Sequence, residues 1–116
     1  MRDFSKLHIW QKGHQFTLKI YDVTRLFPKD EIFGLTAQMR RSASSIPTNI
    51  AEGCGRNTNL QLRNFLNFSI GSTSELEYQL ILSKDLNYIS DSAFNELQQL
   101  VIEVRKMIHG YGEKLN

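Results

Sequence analysis

Apolar residues recur along this chain at the spacing of α-helices, and they do so in four separate segments. The clearest segment lies near the carboxyl end, where the apolar positions are separated alternately by three and four residues. Its members are Phe94, Leu97, Val101, Val104, Ile108, Tyr111 and Leu115. No stretch has the alternation of a strand, and no Asn-Gly or Asp-Gly hairpin turn is present. The pattern therefore predicts an all-α protein.

The second helical segment contains a proline. The helix is expected to begin after residues 27–29 with Asp30 as its N-cap, and to kink at Pro47, which lacks a backbone donor. Its apolar stripe consists of Ile32, Leu35, Met39, Ala43, Ile46 and Ile50. The glycines at 53 and 55 predict a left-handed C-cap, with Cys54 on a surface loop.

The third and first helices differ in regularity. Thr58 and Gln61 form a capping box that opens the third helix, which we expect to continue to about Leu86 despite poor helix formers at residues 69–74. The first helix carries two apolar stripes, which predicts burial on two sides, partly by another subunit. The residues expected between subunits are drawn from Ile9, Phe16 and Ile20.

Short connections between the four helices favour antiparallel neighbours. We therefore predict a single-domain, up-down-up-down four-helix bundle over residues 1–116, with the second helix kinked at Pro47. A hairpin centred near residues 55–56 would place Arg41 opposite Gly71 and Gln38 near Glu75. An ion pair that fixes the register of the two helices is the expected role of this layer.

Composition excludes several classes of protein. With 41% hydrophobic and 22% charged residues the chain is ordinary for a globular domain. No apolar run approaches the roughly 18–20 residues of a membrane span, and no secretory signal is recognisable. One cysteine excludes an intrachain disulfide and a cysteine-based zinc site. We expect a cytoplasmic protein without a membrane partner.

Candidate catalytic chemistry is sparse. Glu52 and Glu75 are expected well apart along the bundle, without a nucleophile or metal-ligand set beside them. The three histidines lack the spacing of a shared metal site, and no Glu-x-x-His motif occurs. We therefore predict no enzymatic activity, no metal and no cofactor.

Charge is distributed unevenly along a chain whose net charge is only +2. Residues 1–58 hold nine Lys or Arg against five Asp or Glu, giving +4, whereas residues 59–116 hold five against seven, giving −2. This asymmetry would allow one face to be basic and to contact nucleic acid. The candidate contacts are Lys12, Arg40, Arg41, Arg56 and Arg63.

Five segments resemble a known family: residues 7–11 (LHIWQ), 27–31 (FPKDE), 34–41 (GLTAQMRR), 45–53 (SIPTNIAEG) and 71–77 (GSTSELE). Together they resemble the four-helix bundle proteins encoded within intervening sequences of bacterial 23S ribosomal RNA genes. The chain is also similar to the accessory variability determinant of diversity-generating retroelements, which works with a reverse transcriptase and nucleic acid. The resemblance implies a cytoplasmic homopentameric ring. The positions to which it points are Gln38, Arg41, Ser45, Asn49, Glu52, Gly53, Ser72 and Glu75.

Two functions follow from these observations. The first is a non-enzymatic oligomeric bundle that binds structured RNA or a ribonucleoprotein through a basic face. The alternative is a protein-interaction scaffold that docks a partner, such as a polymerase, without contacting nucleic acid. Salt-dependent RNA binding would distinguish the first from the second.

Overall fold

A computed structural model describes residues 2–115. Within that range the chain forms four α-helices and no strand: α1 (His8–Thr24), α2 (Leu35–Cys54), α3 (Asn59–Asp85) and α4 (Asp91–Glu113). Single 3-10 turns at Phe4–Lys6 and Lys29–Glu31 precede α1 and α2. The all-α prediction is confirmed. None of these helices is long and apolar enough to cross a membrane.

The helices pack side by side into one bundle, with α2 between α1 and α3, and α4 against α3 and α1. Contacts between α2 and α3 join Ser42 to Glu75 and Ile46 to Ser69, so residue numbers rise in one helix as they fall in the other. These two helices are therefore antiparallel. The fully buried side chains of the shared core include Ile20, Met39, Ile46, Ile50, Leu62, Leu66, Leu76, Leu80, Val101 and Ile108.

Side-chain hydrogen bonds cap the starts of α2, α3 and α4, whereas α1 begins without one. The hydroxyl of Thr58 accepts a hydrogen bond from the Gln61 amide at 3.2 Å, which confirms the predicted start of α3. That helix continues unbroken through residues 69–74, also as predicted. The predicted cap of α2 is wrong, because Asp30 lies in the preceding 3-10 turn. The Glu31 carboxylate instead accepts from the Leu35 amide at 3.1 Å.

The end of α2 differs from the prediction in two respects. Gly55 has a φ of −81°, so the predicted left-handed cap is wrong. Cys54 is the last helical residue and is 1% exposed, not on a surface loop. Gly53 serves close packing instead, since an added Cβ would lie 2.7 Å from a side-chain carbon of Leu62 on α3.

The helix α2 continues through Pro47, and the kink there stays a prediction. Proline has no N–H, so the carbonyl of Ala43 loses the donor that a regular helix would provide. The hydroxyl of Thr17, on α1, lies 3.0 Å from that carbonyl oxygen. Gly13 lets α1 approach this point, since an added Cβ would lie 3.2 Å from Ile46. A hydroxyl of the neighbouring helix therefore lies within hydrogen-bond distance of the carbonyl that lacks a helical donor.

The apolar stripe of α1 that contains Ile9, Phe16 and Ile20 is covered within the chain, whereas Tyr21 of the other stripe is 36% exposed. Ile9, Phe16 and Ile20 are buried in the core that α1 forms with its neighbours. The prediction that some of them lie between subunits is therefore wrong. The physical reason is that α1 packs against both α2 and α4, which cover two sides of it.

The two ends of the described chain are held at the same end of the bundle, beside the α2–α3 turn. Arg2 donates through its amide to the Cys54 carbonyl and through its guanidinium to Asn59 Oδ1, both at 3.0 Å. Near the carboxyl end of the described chain, the carbonyl of Leu115 accepts a hydrogen bond from Arg63 Nη2 at 2.6 Å. Asn59 and Arg63 are about one turn apart on α3.

Candidate interaction surface on α2 and α3

The residues to which the family resemblance points lie along one boundary between two helices, which we call the α2–α3 seam. On α2, Gln38, Arg41, Ser45, Asn49 and Glu52 recur every three or four residues and so share one side of the helix. Of these, Ser45 and Asn49 are half-buried and the others are exposed.

Hydrogen bonds of small polar side chains join the two sides of the seam. Ser42 Oγ donates to Glu75 Oε1 at 2.9 Å, and the hydroxyls of Ser45 and Ser72 are in direct contact. Along α2, Asn49 Nδ2 donates to the Ser45 carbonyl at 2.8 Å. Because short side chains make these bonds, the two helices can approach closely along the seam.

The register of the seam differs from the predicted one by about a helical turn. Ser45, and not Arg41, faces the residues at 71–72, and Ser42 occupies the place predicted for Gln38 beside Glu75. The expected ion pair in this layer is therefore wrong. Within residues 2–115, no ion pair joins α2 to α3.

The ion pair that does join α3 to a neighbour is on its other side. Arg105 of α4 pairs with Glu77 and donates through Nε to the hydroxyl of Thr73 at 3.0 Å. Sequence reasoning did not identify this pair. Glu77 lies two residues from Glu75, and consecutive α-helical positions point about 100° apart, so only a correct register distinguishes their neighbours.

Apolar side chains are exposed along the outer side of α3, and we call this surface the α3 ridge. It comprises Leu60, Phe68, Gly71, Tyr78 and Ile81, which lie on the side opposite the buried stripe. Phe68 and Tyr78 are 60% and 61% exposed. A Cβ added at Gly71 would meet nothing within 4 Å. The sequence predicted an apolar surface for another subunit on α1, whereas the structure has exposed apolar side chains along α3.

The basic residues predicted to bind nucleic acid do not form one cluster, since three of them are engaged towards α1 or α4. Lys12 forms an ion pair with Glu103 at 3.3 Å. Arg40 donates through Nε to the Thr24 hydroxyl at 3.0 Å. Arg63 donates to main-chain carbonyls near the end of α4.

The remaining two candidates lie near the seam. The guanidinium of Arg56 stacks over the ring of Phe65, 4.8 Å from its centroid, and Phe65 in turn packs edge-on against Phe68 of the α3 ridge. Arg41 is exposed on α2, and its side chain has no hydrogen bond or ion pair with any described residue. Arg41 and Arg56 are thus the cations that the structure places beside the seam.

The hydrogen bonds of the seam hold α2 against α3. The bonded groups are serine hydroxyls, the Glu75 carboxylate and the Asn49 amide, which donates to a main-chain carbonyl. In the described part of the chain, no group of three or more His, Cys, Asp or Glu side chains could hold a metal ion. The one thiol is enclosed, and burial raises the pKa of Cys54 above its ordinary value.

Comparison with known proteins agrees with the resemblance found in the sequence. A crystal structure at 1.70 Å of a protein of unknown function from the S23 ribosomal protein family of Bacteroides thetaiotaomicron VPI-5482 is 22% identical. The match covers 91% of this chain and 96% of that one, with a TM-score of 0.84, which shows the shared fold. No curated protein matches the chain. The model of the 23S rRNA-intervening sequence protein family matches residues 5–110, and the chain therefore belongs to that family.

Proposed function

We propose that this protein is a non-enzymatic cytoplasmic interaction module that assembles with copies of itself through the α3 ridge. The observation that carries this proposal is the exposure of Phe68 and Tyr78, together with Leu60, on one side of α3. Phe68 and Tyr78 lie ten residues apart on this side of α3, with Gly71 between them, and aromatic residues are enriched at the centres of interfaces. The ring so formed is the scaffold on which a further partner, such as a polymerase, docks.

We assign the groove between α1 and α2 as the surface that receives the ridge of a neighbouring copy. The groove between α1 and α2 has a volume of about 550 Å³ and includes Trp10, Thr17, Pro47 and Ala51 in its lining. A ridge on one side of the bundle that enters a groove on another side makes a head-to-tail contact. Such contacts generate closed rings when the rotation between neighbours closes. This arrangement agrees with the homopentamer that the family resemblance implies.

The assembly is tested by the mass of the protein in solution. Burial of a Phe or Tyr side chain contributes about 1.5–3 kcal/mol. Replacing both rings, as Phe68→Ser with Tyr78→Ser, should therefore raise the dissociation constant by about 10²- to 10⁴-fold. Sedimentation velocity across a concentration series measures this change. Leu18→Ser, at an exposed position of α1, is the matched control and should leave the mass unchanged.

Two results would contradict the proposal. One is a wild-type protein that sediments as a 13.4 kDa monomer at micromolar concentration. The other is a doubly substituted protein that assembles as well as the wild type. Circular dichroism at the same concentrations shows whether each variant is folded.

RNA binding is the second candidate function. It is supported by the positions of Arg41 and Arg56 beside the seam and by the family's description as a 23S rRNA-intervening sequence protein. Repetition of these two cations around a ring would multiply a small charge per subunit. With Arg40 and Arg63 held in contacts within the bundle, the pair at 41 and 56 is expected to dominate.

Fluorescence anisotropy of a labelled, structured ribosomal RNA fragment tests this second function at two salt concentrations. Arg41→Gln combined with Arg56→Gln should weaken binding and flatten its dependence on salt. Lys106→Gln, at an exposed position of α4, is the control. Absence of binding at low salt would refute the RNA-binding function and leave the interaction module.

A further inference from the structure

A pocket of about 440 Å³ lies where α1 ends and α2 begins, on the side of α2 that faces α1. Its lining combines apolar and basic side chains and contains no acidic one. The apolar part is formed by Phe27, Pro28 and Ile32, and the basic part by Arg25, Lys29 and Arg40. Pockets of a few hundred cubic ångströms with a few convergent polar groups are typical of ligand sites.

The guanidinium of Arg40 is fixed in this pocket before any ligand arrives. It stacks over the ring of Tyr21, 4.7 Å from the centroid, and donates through Nε to the buried Thr24 hydroxyl. Its two Nη groups make no hydrogen bond or ion pair with any residue in the range 2–115. A planar guanidinium presents paired donors that match a carboxylate. Because the side chain is already held in place, binding loses little side-chain entropy.

The surroundings of the pocket favour one compact negative group over a long polyanion. Asp22 pairs with Arg25, and Asp30 is exposed beside Lys29. The Glu31 carboxylate, the next along the chain, accepts from the Leu35 amide and from the Tyr88 hydroxyl. None of these carboxylates lines the pocket, so a single carboxylate in the Arg40 fork meets no like charge there, whereas a chain of phosphates that extended beyond the lining residues would approach them.

Apolar surface is also exposed at the pocket. Ile32 of its lining is 48% exposed, and Leu26 and Phe33, in the same connection between α1 and α2, are 86% and 94% exposed. Side chains so exposed contribute favourably only when another apolar group covers them. The positive charge and the apolar surface of the pocket therefore both favour a ligand that carries a carboxylate next to a bulky apolar group.

We propose that this pocket is a docking site for a peptide segment of a partner protein in which an acidic side chain stands beside a bulky apolar one. The carboxylate pairs with the Arg40 fork and with Lys29, and the apolar side chain packs on Phe27 and Ile32. The site shares no residue with the α3 ridge, so it stands independently of the assembly proposed above.

A labelled peptide tests the site directly. The probe is a fluorescein-labelled, end-blocked hexapeptide Gly-Leu-Asp-Leu-Asp-Gly, titrated with the full chain and followed by anisotropy. Arg40→Gln and Lys29→Gln should each weaken binding about ten- to hundredfold, since each removes a charge-assisted hydrogen bond. The same peptide with Asn in place of Asp should bind at least tenfold more weakly. Lys106→Gln should bind the peptide as the wild type does.

Three outcomes would overturn the proposal. The Asn peptide could bind as tightly as the Asp peptide, or Lys29→Gln and Arg40→Gln could bind no worse than Lys106→Gln. A labelled RNA hexamer that competes for the pocket more strongly than the peptide would assign it to nucleic acid instead. Sedimentation of the same variants separates this test from the assembly, because the pocket variants should assemble normally.

Discussion

Replacement of Thr17 by valine tests whether α1 completes the hydrogen bonding of α2. The Thr17 hydroxyl lies 3.0 Å from the carbonyl of Ala43, which Pro47 deprives of its helical donor. The side chain is buried, so water does not readily replace the hydroxyl. Valine has nearly the shape of threonine and no donor. Thr17→Val should therefore leave the Ala43 carbonyl without a partner.

The loss of stability expected for Thr17→Val depends on the two carbonyl oxygens that lie near the hydroxyl. The Thr17 hydroxyl is also 2.8 Å from the Gly13 carbonyl, which already accepts a helical amide, so the contact with Ala43 matters more. An unsatisfied buried polar group costs about 1–3 kcal/mol. In a Pro47→Ala background, residue 47 regains an N–H that can bond Ala43. There the cost of Thr17→Val should fall below about 1 kcal/mol, giving a coupling of about 1–2 kcal/mol.

The double-mutant cycle is measured by urea unfolding followed by circular dichroism, with the four proteins at one concentration. Each kcal/mol corresponds to a shift of about 4 °C in the Tm of a domain of this size. Thr48→Val, at an exposed position of α2, controls for the lower helix propensity of valine. If Thr17→Val lowers the free energy of unfolding equally with Pro47 and with Ala at position 47, the Thr17 hydroxyl does not compensate for the donor that Pro47 lacks.

Three further predictions concern packing, the thiol and acid stability. Gly53→Ala should destabilise the fold by about 1–3 kcal/mol in urea unfolding relative to Gly71→Ala, because only the added methyl at 53 would collide with α3; equal effects would contradict the close packing. Because burial raises the pKa of Cys54 and encloses it, an aromatic disulfide reagent should react only after urea unfolds the chain, and rapid reaction of the folded protein would refute this. The hydrogen bond from the Leu35 amide lowers the pKa of Glu31, so the ionised carboxyl stabilises the fold at neutral pH and this contribution is lost as pH falls through the folded-state pKa. The advantage of the wild type over Glu31→Gln should shrink between about pH 5 and pH 3, and an advantage independent of pH would be the contrary result.

Local sequence determined much of the secondary structure. The start of α3 depends on Thr58 and the Gln61 amide three residues later, and the buried stripe of α4 follows a regular spacing. Both could be predicted because the interacting groups are close in the chain. The continuity of α3 could also be predicted, since apolar spacing carries through residues 69–74. The start of α2 was missed because the Glu31 side chain, rather than Asp30, caps it.

Contacts between helices were harder to predict. The register of α2 against α3 depends on the geometry of the connection between them. An error of one helical turn places Arg41 instead of Ser45 opposite residues 71–72. The partner of Arg63 is the carbonyl of Leu115, 52 residues away, and nothing in the sequence near either residue indicates the other. Basic residues that look alike in sequence therefore proved to have different neighbours.

The second apolar stripe of α3 could have been recognised. Leu60, Phe68, Tyr78 and Ile81 lie on the side of α3 opposite its buried stripe, so this helix, like α1, carries apolar residues on two sides. Sequence alone does not show which apolar side of a helix its neighbours cover. In the bundle both helices contact two neighbours, but Ile9, Phe16 and Ile20 of α1 are buried, whereas Phe68 and Tyr78 of α3 stay mostly exposed.

The two termini of the described chain lie at the same end of the bundle, which favours circular permutation of the protein. Arg2 and Leu115 are bonded to α3 side chains about one turn apart, so a linker of about eight glycine and serine residues is long enough to join them. A circular permutant opened in the α3–α4 connection should then keep the same core. A domain fused at either end would emerge beside the α2–α3 turn. The opposite pole, with the pocket around Arg40, would stay unobstructed in such fusions.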